Sequence, residues 1–499
     1  MSQQRHIIRH EIKELVLLAG PVVAAQLGQI SNGFVDTVMV GRLGSAELAG
    51  VALGNTTFFF LLIVCMGVVV AVGPMVSQAF GAGEHDPIGR SVRQGLWLGV
   101  ALTVPAFLIL WNIAPFWRMI GQVEETVVIA QQYLRAIVWG FLPFLWFVAL
   151  RSFVEAVSRP WPVTFITFVG VGLNIGANYV LMFGKLGFPA MGLVGTGWAS
   201  TFVFWFLFLA LAGYVQGLPR FRTYRLFARL GKPDPHYFRE IFRIGWPIGV
   251  SYGIEAGLFM MTAFMIGTLG AVPLAAHQVA IQCAAFTFMV PLGIGIATSV
   301  RVGQAVGRGD PVGARWAGYL GVLLAGVFML CAAILFWTVP ESIISLYLDL
   351  DNPANADVVR LAVTLLGVAA VFQIFDGVQV AAAGGLRGLK DTRVPMVLAF
   401  VSYWILGLSI GYLLGFVGGW GARGLWWGLV VGLASASVLL TGRFHRHVGY
   451  VPSGEAGASV IAAGETDGVL DDRAGQEAVE MRSPSPSDTR GDRDVLAEK

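Results

Sequence analysis

The chain alternates between long apolar runs and short polar breaks, and the runs are too long for a soluble core. Residues 58–72 and 198–212 pass without one charged side chain. Crossing a bilayer takes about 20 residues of helix at about 1.5 Å rise each. Stretches of that kind recur at 15–39, 51–73, 94–115, 130–154, 161–183 and 191–214, then at 242–267, 275–300, 316–338, 358–383, 395–416 and 422–441. The pattern predicts an all-α integral membrane protein of twelve transmembrane helices, here called spans 1 to 12 in chain order. Ahead of span 1, "MSQQRHIIRHEIKELVLLAG" reads as a short amphipathic surface helix rather than a cleaved leader, because Glu11, Lys13 and Glu14 interrupt it and the apolar run continues beyond Ala25.

Composition supports the membrane class. Of 499 residues 56% are hydrophobic and 13% charged, with mean hydropathy +0.71; soluble domains carry about 25% charge. Glycine, 64 residues, suits closely packed membrane helices. Cys65, Cys283 and Cys331 fall in apolar runs and read as buried small hydrophobes, with no disulfide framework or metal-ligand spacing.

Charge gives orientation. Residues 450–499 hold 11 acidic and 5 basic side chains, and the stretch 448–499 reads as a disordered acidic tail. Upstream, the side of the membrane that bears the termini and the even–odd connections collects 22 Lys and Arg against 6 on the other. By the positive-inside rule both termini are expected in the cytoplasm, with the chain multi-pass in a cell (inner) membrane.

The sequence also repeats itself. A shift of 226 residues lays Pro21 on Pro247, Met39 on Met265, Gly41 on Gly267, Leu43 on Leu269, Gly44 on Gly270, Leu48 on Leu274, Ala49 on Ala275 and Gly67 on Gly293. The clearest match is "SQAFGAGE" (77–84) against "GQAVGRGD" (303–310). Each repeat holds an even number of spans, so the halves share one topology, as in transporters built from parallel repeats. The expected organisation is an N-terminal six-helix lobe at 1–218, a basic loop at 219–240 and a C-terminal six-helix lobe at 241–447.

"GPVVAAQLGQISNGFVDTVMVGRLGSAELAGVAL", "VSQAFGAGE" and "LNIGANYVLMFGKLGFPAMGLVGTGWAS" resemble the multidrug and toxic compound extrusion (MATE) family over about residues 10–447. The resemblance implies a secondary active efflux transporter that works by alternating access. It would exchange cationic or amphipathic organic compounds for Na⁺ or H⁺, with no resident cofactor. It is not expected to be an enzyme. The expected partners are small drugs, organic cations and membrane lipids; nucleic acid is not expected, and the chain is expected to act as a monomer.

Four carboxylates fall inside spans, where an ionisable residue is a functional candidate. Glu155 lies four residues after Arg151, a spacing that pairs them on one helix face. Asp36, in "GQISNGFVDTVMVG", has no basic residue at helical spacing within its span, although Arg42 in the following turn is a candidate partner. It is expected to face the cavity between the lobes. Gln29 and Asn32 share its helix face, and span 5 offers Asn174 and Asn178, four apart, followed by Thr196. The resemblance implies that Asp36, Asn174, Asn178 and Thr196 form a polar network in the N-terminal lobe; helix–helix adhesion is the competing role for the amides. Glu255 in "GVSYGIEAGLFMMTAFM" and Asp376 in "FQIFDGVQVAAAGGLRG" have no evident basic partner. The resemblance assigns them, as in the NorM-type branch, to a cation site of hard oxygen ligands open to Na⁺. Phe372 departs from this pattern, for a tyrosine stands there in some members; one oxygen is missing, which leaves H⁺ open.

The repeat places Thr262 opposite Asp36 and Glu255 opposite Gln29, so the lobes are expected to differ chemically. Near a shift of 233, Asn174 and Asn178 meet Gly407 and Gly411. Candidate substrate-facing residues are Gln29, Gln278, Gln282, Phe259, Met260, Phe288 and Met289, with His277 as a structural neighbour; methionine and phenylalanine give adaptable apolar surface. No phosphate-binding loop points to ATP. A lipid or polysaccharide-precursor flippase on the same scaffold is the alternative. It is disfavoured by the expectation that no Lys or Arg lies deep in a span.

Overall fold

The computed structural model describes residues 2–40, 45–228, 231 and 233–449, all within one compact unit. Of the tail expected at 448–499, Val448 ends span 12 and residues 450–499 lie outside the described residues, as do Gly41, Arg42, Leu43 and Gly44 of the repeat's first connection. Among the described residues there is no strand, and twelve helices are long and apolar enough to cross a membrane.

Span 1 is the helix Ser2–Val40. The others are Glu47–Ala82, His85–Trp111, Glu124–Ala156, Trp161–Phe183, Gly192–Gly217, Pro235–Gly267, Ala271–Gly307, Pro311–Thr338, Pro353–Gly388, Arg393–Val417 and Ala422–Val448. Most helices outrun the apolar stretch that predicts them, because hydrophobicity marks the lipid-facing length whereas caps mark the helix ends. Asp234 caps span 7 by accepting from the backbone N–H groups of His236 and Tyr237, with Pro235 in the first turn. Asp310 does the same for span 9 through the N–H of Gly313. Gly83 (φ 78°) and Gly309 (φ 65°), repeat-related, take the left-handed turn after spans 2 and 8.

The start of the chain is not a separate surface helix: residues 2–40 form one uninterrupted helix. Glu11 is buried there and pairs with Arg301 of span 8 at 2.7 Å, which removes the reason for a break.

Two large apolar clusters correspond to the two lobes, and the first span of each lobe crosses into the other. Ile241, Ile244 and Ile248 of span 7 pack into the N-terminal cluster. Leu15, Leu18 and Ala19 of span 1 pack against Ile294, Ala297 and Val300 of span 8. The crossings obey the sequence repeat. A Cβ placed on Gly67 of span 2 would lie 2.6 Å from Gly249 Cα of span 7, and one on Gly293 of span 8 would lie 3.0 Å from Val23 Cα of span 1. Residues 67 and 293 are repeat partners, and so are 23 and 249. The described close contacts between lobes lie in the half of the bundle that bears the chain's N-terminus.

Span 11 departs from a plain helix. It is π-helical at Val401–Leu408 and Leu413–Val417. Gly407, Gly411 and Gly415 lie directly against Gly428, Gly424 and Gly432 of span 12, so two backbones approach with no side chains between them.

Candidate functional site

A cavity of about 370 Å³ lies between the lobes. Gln26, Gln29, Arg151 and Glu155 form its N-terminal wall. Tyr252, Glu255, Phe259, Phe288, Arg387 and Tyr403 face them from the C-terminal lobe.

Two arginines on these walls overturn the expectation of a cavity without deep cations. Arg151, Arg301 and Arg387 are all buried within helices. Sequence places Arg151 at the very end of span 4 and Arg301 and Arg387 in connections, because each stands near the end of an apolar run, but the helices continue past those ends. Arg151 Nε donates to Glu155 Oε1 at 2.7 Å, while its terminal nitrogens donate to Gln26 at 2.9 Å and Gln29 at 3.2 Å. Gln29 is thus an anchor for Arg151, although it also lines the cavity.

Glu255 is not without a cation. Arg387 donates to the Tyr252 hydroxyl at 2.8 Å and stacks over the Tyr252 ring, 5.5 Å from its centroid. Tyr252 is three residues before Glu255 and so on the same helix face; Arg387 and Glu255 interact electrostatically. Asp376, 4% exposed, lies behind the wall, where its charge interacts with Glu255 and its Oδ1 accepts from Gln379 at 3.3 Å. Tyr403 of span 11, also buried, is within electrostatic reach of both carboxylates. Sequence reasoning missed it because nothing in the chain links span 11 to spans 7 and 10. Phe372, one turn before Asp376, packs edge-on against Phe259 and Trp426, an apolar contact where a tyrosine would bring an oxygen.

Asp36 is not among the residues lining the cavity. It lies inside the N-terminal lobe between spans 1, 5 and 6, because the span face that bears it packs on span 5 rather than across the lobe boundary. Asn178 donates to Asp36 Oδ1 at 2.7 Å and also to Asn174 Oδ1 at 3.2 Å. Ser200 donates to Asp36 Oδ2 at 3.4 Å. Thr196 is buried one turn before Ser200, and its hydroxyl has no partner, so Ser200 makes the contact expected of it. The i,i+4 spacing of Thr196 and Ser200 is the signal that would have found it. Tyr133, whose hydroxyl donates to Asn55 at 3.2 Å, is within electrostatic reach of Asp36. Asn32 leaves its carbonyl oxygen without a partner.

The other candidates divide. Phe259 and Phe288 line the cavity, whereas Gln278, Gln282, Met260 and Met289 do not. Gln278 and Gln282 are exposed on the same face of span 8 as the cavity-lining Leu292 and Ile296, but nearer its other end. His277 is buried edge-on against Trp426, and its Nδ1 has no hydrogen-bond partner. Cys65 and Cys283 are buried, but Cys331 is exposed on the surface of span 9.

This arrangement gathers carboxylates in two separate places. Asp36 offers a carboxylate with amide and hydroxyl donors that accommodate either protonation state. Glu255 and Asp376 offer two hard carboxylates beside a tyrosine and an arginine.

Comparison with known proteins bears on all of this. The family model MatE matches residues 21–180 and 247–413, one segment in each lobe. A Pseudomonas aeruginosa protein named "Probable multidrug resistance protein NorM" is 42% identical over 431 residues, 86% of this chain and 88% of the relative. A Synechococcus protein of the same name is 41% identical, covering 88% and 94% of the two chains. The crystal structure of the eukaryotic MATE transporter AtDTX14 superposes with a TM-score of 0.79 at 22% identity, over 89% of this chain and all of that one. An outward-facing multidrug resistance MATE family transporter of the MOP superfamily superposes at 0.80 and 19%, over 88% and 96%. With the model matched in both lobes, and relatives about 40% identical along nearly the whole helical region, the chain belongs to the MatE family.

Proposed function

We propose that this chain is a secondary active multidrug efflux transporter that exports cationic or amphipathic organic compounds in exchange for Na⁺ or H⁺ by alternating access. The observation that carries this is the placement of Glu255 on the wall of an inter-lobe cavity with Asp376 behind it, at the boundary between two crossed lobes. A cation bound there and an organic cation in the cavity compete for the same negative charge. Such competition couples the two fluxes, provided each ligand binds one conformation better than the other. Arg387 is an internal competitor that neutralises part of that charge when neither ligand is present. Asp36, half-buried between spans of its own lobe and off the cavity wall, answers to a proton or small cation rather than to drug.

The 22 to 6 asymmetry of basic residues supports a multi-pass orientation in the cell (inner) membrane with both termini cytoplasmic. The flippase alternative gains little from the cavity arginines. Arg151 is engaged by Glu155, Gln26 and Gln29, and Arg387 sits on Tyr252 beside Glu255. The test is efflux of ethidium from everted vesicles under Na⁺ and H⁺ gradients imposed separately. Stimulation by one gradient identifies the coupling ion; efflux driven by neither would overturn antiport.

A further inference from the structure

The best-preserved piece of the repeat, "SQAFGAGE" against "GQAVGRGD", takes no part in either carboxylate site, yet the fold brings its two copies together. Gln78 Nε2 donates to the carbonyl oxygen of Gly388, at the end of span 10 in the opposite lobe, at 2.9 Å. Its repeat partner Gln304 donates to the carbonyl oxygen of Ala156, at the end of span 4 in the opposite lobe, at 2.8 Å. Spans 4 and 10 occupy equivalent places in their lobes, so the two bonds are reciprocal. The backbones interlock by the same rule. A Cβ on Gly81 would collide with the Gln304 carbonyl, and one on its partner Gly307 would collide with the Gln78 carbonyl.

The reciprocity is incomplete in one respect. Gln304 also donates to Ser158 Oγ at 2.9 Å, and its side-chain Oε1 accepts from Arg301 at 3.3 Å. Arg301 in turn holds Glu11 of span 1 through two bonds, 2.7 and 3.2 Å. Met75 stands where the repeat would put a second Arg301, so Gln78 lacks that support.

We propose that Gln78 and Gln304 are a duplicated pair of positioning residues that seal the end of the cavity bearing the chain termini. Each makes the bond that must break for the lobes to rock, and the Gln304 half is the stronger. Neither glutamine touches drug or coupling ion. Each acts by setting how often the cavity opens to the terminal side. The glutamine bonds are neutral side-chain-to-carbonyl bonds, cheaper to break and reform than the buried Glu11–Arg301 pair that also joins the lobes at this end.

The test uses the full chain with Cys65, Cys283 and Cys331 replaced and Ser299→Cys as a reporter, since Ser299 lines the cavity. A membrane-impermeant maleimide is applied from the terminal side of sealed vesicles. Gln304→Ala, which loses two donated bonds, should speed labelling about fivefold, and Gln78→Ala, which loses one, by about half that factor. The pair together should exceed either, and labelling from the opposite side should slow. Gln304→Glu, which keeps the size and the Arg301 contact but not the donor, should act as Ala does. Unchanged labelling in the double variant would overturn the proposal. So would a lowered thermal midpoint with unchanged labelling, which would make the glutamines adhesive only.

A cross-link reads the same motion independently, because a Cβ on Gly303 would lie 3.0 Å from Ser77 Cβ, so that parting by about 0.5 Å brings the pair into disulfide range. Ser77→Cys with Gly303→Cys should stop efflux on oxidation and recover it on reduction. Efflux that continues with the cross-link formed would overturn the proposal. The inference rests on alternating access but on no particular ion. Labelling needs neither gradient nor drug, so efflux that is lost while labelling responds as stated counts against ion coupling alone.

Discussion

The two lobes share a scaffold but not a chemistry, and the contrast shows what duplication preserves. In the N-terminal lobe, span 5 turns Asn174 and Asn178 toward Asp36. At the corresponding positions of span 11 stand Gly407 and Gly411, which pack span 11 onto span 12 backbone to backbone. A carboxylate opposite those glycines would find no donors, and Thr262 replaces it there. The C-terminal acids lie instead on spans 7 and 10, near Arg387 and Tyr403. What duplication kept is the boundary: the crossings at Gly67 and Gly293 and the glutamines at 78 and 304. Contacts that join the halves must satisfy both copies at once, whereas the interior of each lobe can change alone.

The largest expected effect tests the two cavity arginines against each other. Arg151→Ala leaves Glu155, 4% exposed, without its cation, and should cost about 3–5 kcal/mol. Arg387→Ala loses a bond to a neutral hydroxyl and should cost about 1.5–3 kcal/mol. Thermal unfolding in detergent checks both, and equal losses would mean that the two lobes bury their arginines alike.

Next comes the division of labour between the acids. Asp376→Asn should reduce the stimulation of efflux by the coupling ion by a factor in the range of about 5–150. Asp36→Asn should also lower efflux, but should shift the apparent affinity for that ion less than Asp376→Asn does. Gradient-driven vesicle efflux measures both, and identical ion titrations in the two variants would erase the distinction between lobes.

The boundary predicts sameness where the interiors predict difference. Gly67→Ala and Gly293→Ala each force a Cβ against another backbone and should each cost about 1–3 kcal/mol. Unfolding midpoints that differ strongly would break the duplicated crossing.

The smallest effect sharpens the ion itself. Phe372→Tyr adds a phenol oxygen one turn before Asp376. If Na⁺ is the coupling ion its apparent affinity should rise about fivefold, the worth of about 1 kcal/mol. No change in the Na⁺ titration would point to H⁺.

Much of this was legible in the chain. Span number follows from local hydrophobicity, since a helix crossing lipid must be apolar along its own length whatever surrounds it. The parallel repeat is likewise visible as identities at one shift, and the i,i+4 pairing of Arg151 with Glu155 is a property of one helix. The partners of the functional acids are different in kind. Asn178 lies 142 residues from Asp36, and Arg387 lies 135 from Tyr252. Apolar runs also misplaced Arg301 and Arg387 in connections and detached Glu11 as part of a surface helix, because hydropathy cannot distinguish a charge in water from one buried against its partner.

By itself, then, the sequence determined that twelve apolar helices form two like halves, because helix formation and membrane insertion are settled within each segment. Only the tertiary structure decided that Asp36 bonds within one lobe while Glu255 faces the cavity, and that Gln78 meets Gly388 across 310 residues. Those outcomes depend on which helix faces approach, and that is set by packing small residues across the lobe boundary rather than by any one span.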